Sequence, residues 1–319
     1  MSINNPKRIY FDQNKLIDLA KAFNKRKGGE QFQETLDLLN KNVDEGKVIV
    51  PLSCLHIVET AKVSNPGRKE RLSKFIYKIT KNFAILPFFS IREYEIFNFI
   101  LKNENIVKEE VDINRNIIEQ KGIPFALGIS LSVPEKFKDI EKEIMDKLYM
   151  EETFLAIMNE MISEDLSNKM TAEDETMVSF FEAEGLKIKN LSKEEAYKHI
   201  VSDLLSELLI TELLTQLKTL EIDSKVFIGK YLSNKDQIIR FIDSIPSIEI
   251  LAKMILARDK GSKVHRNDVY DIGFLTTAFP YCDIVITENS WCHHLKQEKL
   301  DEKYNTLILN DVNDLKNHL

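Results

Sequence analysis

Cysteine, glycine and proline are scarce in this sequence: three, ten and eight of 319 residues. Cys54, Cys282 and Cys292 are odd in number, far apart and never in CxxC spacing, which excludes a disulfide framework. Cys282, Cys292, His293 and His294 fit no closed zinc site either, so the thiols read as reduced core residues of a cytoplasmic protein. So few turn-forming residues argue against an all-β sandwich and against a disordered chain. No run approaches the ~20 apolar residues that span a bilayer, and the start, MSINNPKRIY, lacks the apolar centre of a signal peptide. No membrane partner is expected. Walker A, GxGxxG and GxSxG motifs are all missing. Positive charge is short as well: 44 Lys and Arg against 51 Asp and Glu leave a net charge of −7. That excludes a bare cationic wrapper of nucleic acid, but not a local basic patch.

What is present is apolar enough for a sizeable core, at 43% hydrophobic residues. At roughly 150 residues per domain, the length suggests two domains, or one carrying a large insertion. Residues 8–12 (RIYFD) read as a β-strand ending in an acid, followed by an amphipathic helix through Leu16, Leu19, Ala20 and Phe23. The basic stretch 25–27 and Gly28-Gly29 break that helix and read as a mobile basic loop. Further strands are expected at 47–50 (KVIV) and 83–87 (FAILP), with helices between them. This alternation is the grammar of a parallel α/β sheet. From residue 91 to about 245 almost only helical periodicity is visible, including a capping box at Ser192 and Glu195 and a helix rich in leucine from Leu204 to Leu220, with one looser stretch over 120–134 (Gly122, Pro124, Gly128, Pro134) expected to loop. Strands return at 282–287 (CDIVIT) and 306–309 (TLIL), with helices at 267–279 and 290–297. The expected organisation is one α/β domain formed by residues 1–90 and 246–319, interrupted by an all-helical insertion over 91–245.

Acids follow the strands. Asp12 ends the first, Glu59 lies about two turns into the helix after the second, and Glu288 follows Val285-Ile286-Thr287. Asp268 and Asp271 share one face at the start of a helix. In open parallel sheets, active sites form at the carboxyl edge of the strands. Carboxylates converging there repel one another unless cations neutralise them, and all-oxygen sites suit Mg²⁺ or Mn²⁺. Such ions assist phosphoryl transfer, so the residues by themselves point to a metal-dependent phosphodiesterase or phosphatase. Each acid also has a plainer role open to it: Asp268 or Asp271 as a helix cap, Glu59 as a solvated helix residue.

The opening Tyr10-Phe11-Asp12-Gln13-Asn14 resembles the hydrophobic-Asp-x-Asn motif of PIN-domain nucleases, and 267–272 with 280–288 resembles that family's closing segment. The resemblance covers residues 7–90 and 246–319. It implies a PIN-like three-layer α/β/α fold around a central parallel sheet. It implies that Asp12, Glu59, Asp268 and Asp271 hold one or two Mg²⁺ or Mn²⁺ ions, that Asn14 and Thr287 brace the site, and that Glu288 is catalytic. Glu288 stands where the family usually has Asp, and direct or water-mediated action is left open. The activity implied is endoribonucleolytic hydrolysis leaving 5′-phosphate and 3′-hydroxyl ends. Arg68, Arg71, Lys74 and Lys78 recur at helical spacing, and Arg258, Lys263 and Arg266 cluster beside Asp268; these would track an RNA backbone, with a solvated face the alternative for the first group. His56 reads as a packed or surface histidine. The helical insertion is suited to receiving a protein inhibitor or to self-association. A non-catalytic RNA- or protein-binding scaffold with the same fold, and a structure-selective DNA nuclease, are the alternative functions.

Overall fold

The structure, a computed structural model, describes residues 5–106, 116–131, 134–160, 164–258 and 263–319. In chain order the first elements are β1 (Lys7–Phe11), α1 (Gln13–Phe23), α2 (Gln33–Asp44), β2 (Val48–Ile49), α3 (Cys54–Ala61), α4 (Pro66–Thr80) and β3 (Ala84–Ile85). Then come α5 (Phe88–Asn103), β4 (Ile118–Glu119), α6 (Gly122–Ala126), α7 (Glu141–Leu148), α8 (Glu151–Glu160) and α9 (Glu164–Ile188). They are followed by α10 (Lys193–Leu204), α11 (Ile210–Thr219), α12 (Ser224–Tyr231), α13 (Lys235–Ile242), α14 (Pro246–Ala257) and α15 (Arg266–Ala278). The chain closes with β5 (Ile284–Ile286), α16 (Asn289–Gln297), α17 (Leu300–Tyr304) and β6 (Leu307–Leu309). No helix among the described residues is long and apolar enough to cross a membrane.

Two compact units result. A sheet unit comprises Met1–Pro87, Ile117–Met170 and Tyr281–Leu319; a helical unit comprises Phe88–Asn116 and Thr171–Pro280. This division differs from the expected bounds of 1–90, 91–245 and 246–319. Residues 117–170 belong with the sheet, because β4 pairs with β3 and α8 packs on α4. Residues 246–280 belong with the helices, because α14 packs on α10 and α5.

The sheet unit holds a four-stranded sheet in the order β2-β1-β5-β6, with all pairs parallel. The fold is therefore α/β in the coarse sense, although helices dominate it. Burial explains the strand sequences. Ile9, Phe11, Ile284 and Ile286 point into one apolar cluster with Leu16 and Leu19 of α1 and Phe75 of α4. Tyr10 and Val285 alternate with them and are also buried, so both faces are covered, as parallel strands require. The expected third strand is placed elsewhere. β3 joins β4 in a separate antiparallel ribbon, and an isolated parallel bridge links Ala84 to Leu52, just after β2. β4 itself lies where the sequence shows helical periodicity alone, since a two-residue strand is too short to display a period of two.

In the helical unit the capping box at Ser192 and Glu195 opens α10. The leucine-rich stretch is not one regular helix: residues Leu205–Leu209 form a π-turn between α10 and α11. Leu205, Leu209, Leu213 and Leu217 are buried at intervals of four, and the extra residue of a π-turn resets the drift that a period of 3.6 would impose.

Candidate functional site

The strand order fixes where a site can form. From β1 the chain proceeds to β2 on one side, and from β5 to β6 on the other, so β1 and β5 flank the point where the winding reverses. Outside the carboxyl ends of such a strand pair lies the crevice in which open α/β sheets place ligands. Here the β1 end carries Asp12 and the β5 end carries Thr287 and Glu288, with the Asp12 amide donating to Ile286 O at 3.0 Å.

Asp12 is the N-cap of α1 and is 3% exposed. Its Oδ1 accepts from the Lys15 amide at 3.0 Å, while Oδ2 is buried without a hydrogen-bond partner. Burial pushes its carboxyl up to about 6; the Lys15 amide and ammonium pull it down, Glu288 raises it and the Thr287 hydroxyl lowers it. A buried carboxylate oxygen with no donor is costly unless a cation or proton meets it. Glu288 is half-buried and its Oε1 accepts from Asn14 Nδ2 at 3.1 Å. The Lys15 ammonium turns to Asn310 O at 2.7 Å, at the end of β6. Asp12, Asn14, Thr287 and Glu288 thus lie together at the carboxyl ends of β1 and β5.

Glu59 sits on α3, which is fastened to β1 and α1 by buried polar contacts that the sequence did not reveal. Tyr10 Oη donates to Ser53 Oγ at 2.7 Å. The Ser53 amide donates to His56 Nδ1 at 3.1 Å, so the ring proton is on Nε2, which donates to Phe11 O at 2.8 Å. Gln13 Nε2 donates to Thr60 Oγ1 at 3.0 Å. Burial holds His56 down at about 4, so it is a neutral packed histidine, and it stacks on Tyr10. Glu59 is half-buried and contributes to raising the Tyr10 phenol, after burial itself. A serine three residues before a histidine at a helix start was the only available signal for this network.

Asp268 and Asp271 belong to the helical unit. Asp268 is used structurally. Its Oδ2 accepts from the His265 amide at 3.0 Å in a capping box at the start of α15, and lies 3.5 Å from Arg258 Nη2. Asp271, one turn on, is half-buried. Arg266 is 4.0 Å from Glu175, and Lys263 is exposed. Among the described residues no three of His, Cys, Asp and Glu come close enough to share an ion.

The basic face of α4 is real but uneven. Lys74 pairs with Glu70 at 2.7 Å, Lys78 lies over the Phe23 ring, and Arg68 and Arg71 border a cleft against α1. Comparison with protein-family models, with curated proteins and with solved structures finds no match.

Proposed function

We propose that the chain is a divalent-metal-dependent endoribonuclease with a PIN-like α/β/α sheet unit, hydrolysing RNA phosphodiesters to 5′-phosphate and 3′-hydroxyl products. One observation carries the reading: the buried, unpartnered Oδ2 of Asp12 lies beside Glu288 at the reversal point of a parallel sheet. Two carboxylates with an amide and a hydroxyl fit one Mg²⁺ or Mn²⁺ of the type held by one or two protein carboxylates plus water and substrate phosphate. Asp12 and Glu288 are the residues that would hold it. When bound, the ion supplies charge neutralisation at the scissile phosphate.

The remaining roles fall to residues of the sheet unit. Asn14 fixes the Glu288 carboxylate, Thr287 offers a hydroxyl to Asp12, and His56 and Gln13 clamp α3, which bears Glu59, to β1 and α1. In solution, the test is cleavage of a labelled RNA with Mn²⁺, with and without EDTA. Activity that survives EDTA, or that is undiminished in Asp12→Asn, overturns the proposal. Cleavage of a matched DNA strand at an equal rate would place the protein among DNA nucleases instead.

A second reading, a non-catalytic RNA-binding scaffold, is favoured by one observation: the Asp268 carboxylate is already engaged by its own helix cap and Arg258. Calorimetric Mn²⁺ binding that disappears in Asp12→Ala would remove its basis.

A further inference from the structure

The basic stretch at 25–27 is a built feature rather than a mobile loop. Lys25 and Gly28 adopt left-handed conformations, with φ of 50° and 83°. The Arg26 amide donates to Lys21 O at 2.8 Å, and the Gly29 amide donates to Arg26 O at 2.9 Å. Gly29 lies so close to α1 that a Cβ there would stand 2.4 Å from the Lys21 carbonyl carbon and from the Ala22 amide nitrogen. Only glycine permits this approach. The loop is thereby pinned to the last turn of α1, and Arg26 is held at one edge of a cleft of about 360 Å³.

Lys21, Arg26, Arg68 and Arg71 line that cleft with Asn24, over an apolar floor of Ile17 and Leu72, and among the described residues no acid lines it. Lys21 shares its charge with Asp18 at 2.7 Å. Arg68 and Arg71 stand in the first two turns of α4, a 15-residue helix capped by Asn65, so the partial positive charge of the helix start adds to theirs. In a chain of net charge −7, four cations converge on one concave surface.

Helix geometry links the cleft to the acid pair. Asn14, Ile17 and Lys21 of α1 and its C-cap Asn24 are spaced by three, four and three residues and fall on one side of the helix. Asn14 holds Glu288 at one end; Ile17, Lys21 and Asn24 border the cleft at the other. Ile17, three residues on, is the near edge of the cleft, and its polar groups Lys21 and Asn24, seven and ten residues on at about 1.5 Å each, lie roughly 10–15 Å along the helix from Asn14. At about 3.4 Å per nucleotide in a stacked strand, that is about three to four nucleotides.

We infer that this cleft is a phosphate-binding subsite for the RNA backbone, engaging nucleotides about three to four away from the bond that is cut. The inference rests on the ribonuclease reading, and binding and cleavage are separately measurable.

The test uses the full-length Asp12→Asn protein in EDTA, so that RNA stays intact, and fluorescence anisotropy with a labelled 12-nucleotide and a labelled 3-nucleotide oligouridylate. Arg26→Ala/Arg71→Ala is expected to weaken binding of the 12-mer about tenfold, and to lower the slope of log K against log salt by about 1.4, two phosphates' worth for a single strand. Binding of the 3-mer changes less than twofold. Arg26→Lys/Arg71→Lys keeps most of the affinity, and Lys225→Ala/Lys235→Ala, on the helical unit, changes neither quantity. An unchanged 12-mer affinity and salt slope in the alanine pair, with circular dichroism matching the parent, overturns the inference. So does equal weakening of the 3-mer, or binding of phosphatidylserine vesicles as tight as that of RNA. RNA bound through the cleft but left uncut by the parent protein with Mn²⁺ overturns the nuclease reading and leaves the subsite standing.

Discussion

His56 Nε2 donates to the carbonyl of Phe11 at 2.8 Å, one residue before Asp12. A neutral imidazole on α3 therefore sets the end of the strand from which the buried carboxylate projects. Protonating His56 would put a second proton on Nδ1, where the Ser53 amide already points.

That opposition sets a pH dependence. The imidazole titrates at about 4 in the folded chain, against about 6.5 when unfolded, because burial disfavours the cation. Between those values the unfolded state binds more protons, so stability is lost as pH falls from about 6.5 to 4 and is constant above that window. The loss reaches roughly 3 kcal/mol at pH 4. Urea unfolding of the parent and of His56→Gln across pH 4–8 should show a stability difference between the two that shrinks as pH falls through the window, every other titrating group being common to both; parallel profiles would refute it.

Asp12 has the opposite sign. Its folded value of about 6 exceeds the unfolded ~3.9, so the native state binds more protons between these and stability falls as pH rises through the interval. Asparagine keeps an acceptor for the Lys15 amide, as N-cap preferences allow. Asp12→Asn is therefore expected to be more stable than the parent by ~1–3 kcal/mol at pH 7 in EDTA, and equal to it near pH 4. Its RNA cleavage should drop at least ~100-fold. A variant less stable than the parent at pH 7 contradicts the burial argument.

Asn14→Ala removes the donor to Glu288 without touching the core, since Asn14 is exposed. Cleavage should fall ~10–100-fold, as for other residues that orient a ligating group, with a melting temperature within about 2 °C of the parent. Equal activity would show that Glu288 needs no such support.

Gly29→Ala adds one methyl group against α1 at a separation that no Cβ tolerates. The loop must lift, at a cost of ~1–3 kcal/mol, and 12-mer binding weakens although no charge is lost. Thermal unfolding together with the anisotropy assay checks both effects; an unperturbed melting temperature would mean that the loop is not seated as described.

Much of the sheet was legible because buried parallel strands announce themselves. IYF and IVI are runs of apolar residues flanked by polar ones, and they pair in parallel. Asp12, Asn14 and Glu288 were legible for the same reason, as residues directly after those strands. Ala84–Ile85 was legible as a strand but not as a member of a separate ribbon, because pairing is decided by a partner, Ile118–Glu119, with no pattern of its own. The unit boundary near residue 280 was hidden in a different way. α15 and β5 are adjacent in sequence and read as one strand-and-helix plan, yet α15 packs on α14 and α5. Asp268 shows how an acid at a helix start satisfies its own backbone. The contacts of Tyr10 with Ser53 and of His56 with Phe11 join residues from two elements, which no local pattern encodes.

The central position of β1 has a consequence for synthesis. Its neighbour β5 arrives late, and Asn14 and Glu288 are 274 residues apart. A nascent chain on the ribosome, surrounded by RNA, holds Asp12 but lacks the other half of the acid pair until the segment bearing β5 and Glu288 has also emerged. Any cleavage that depends on the pair is thereby postponed until that later segment has been made and has docked beside β1.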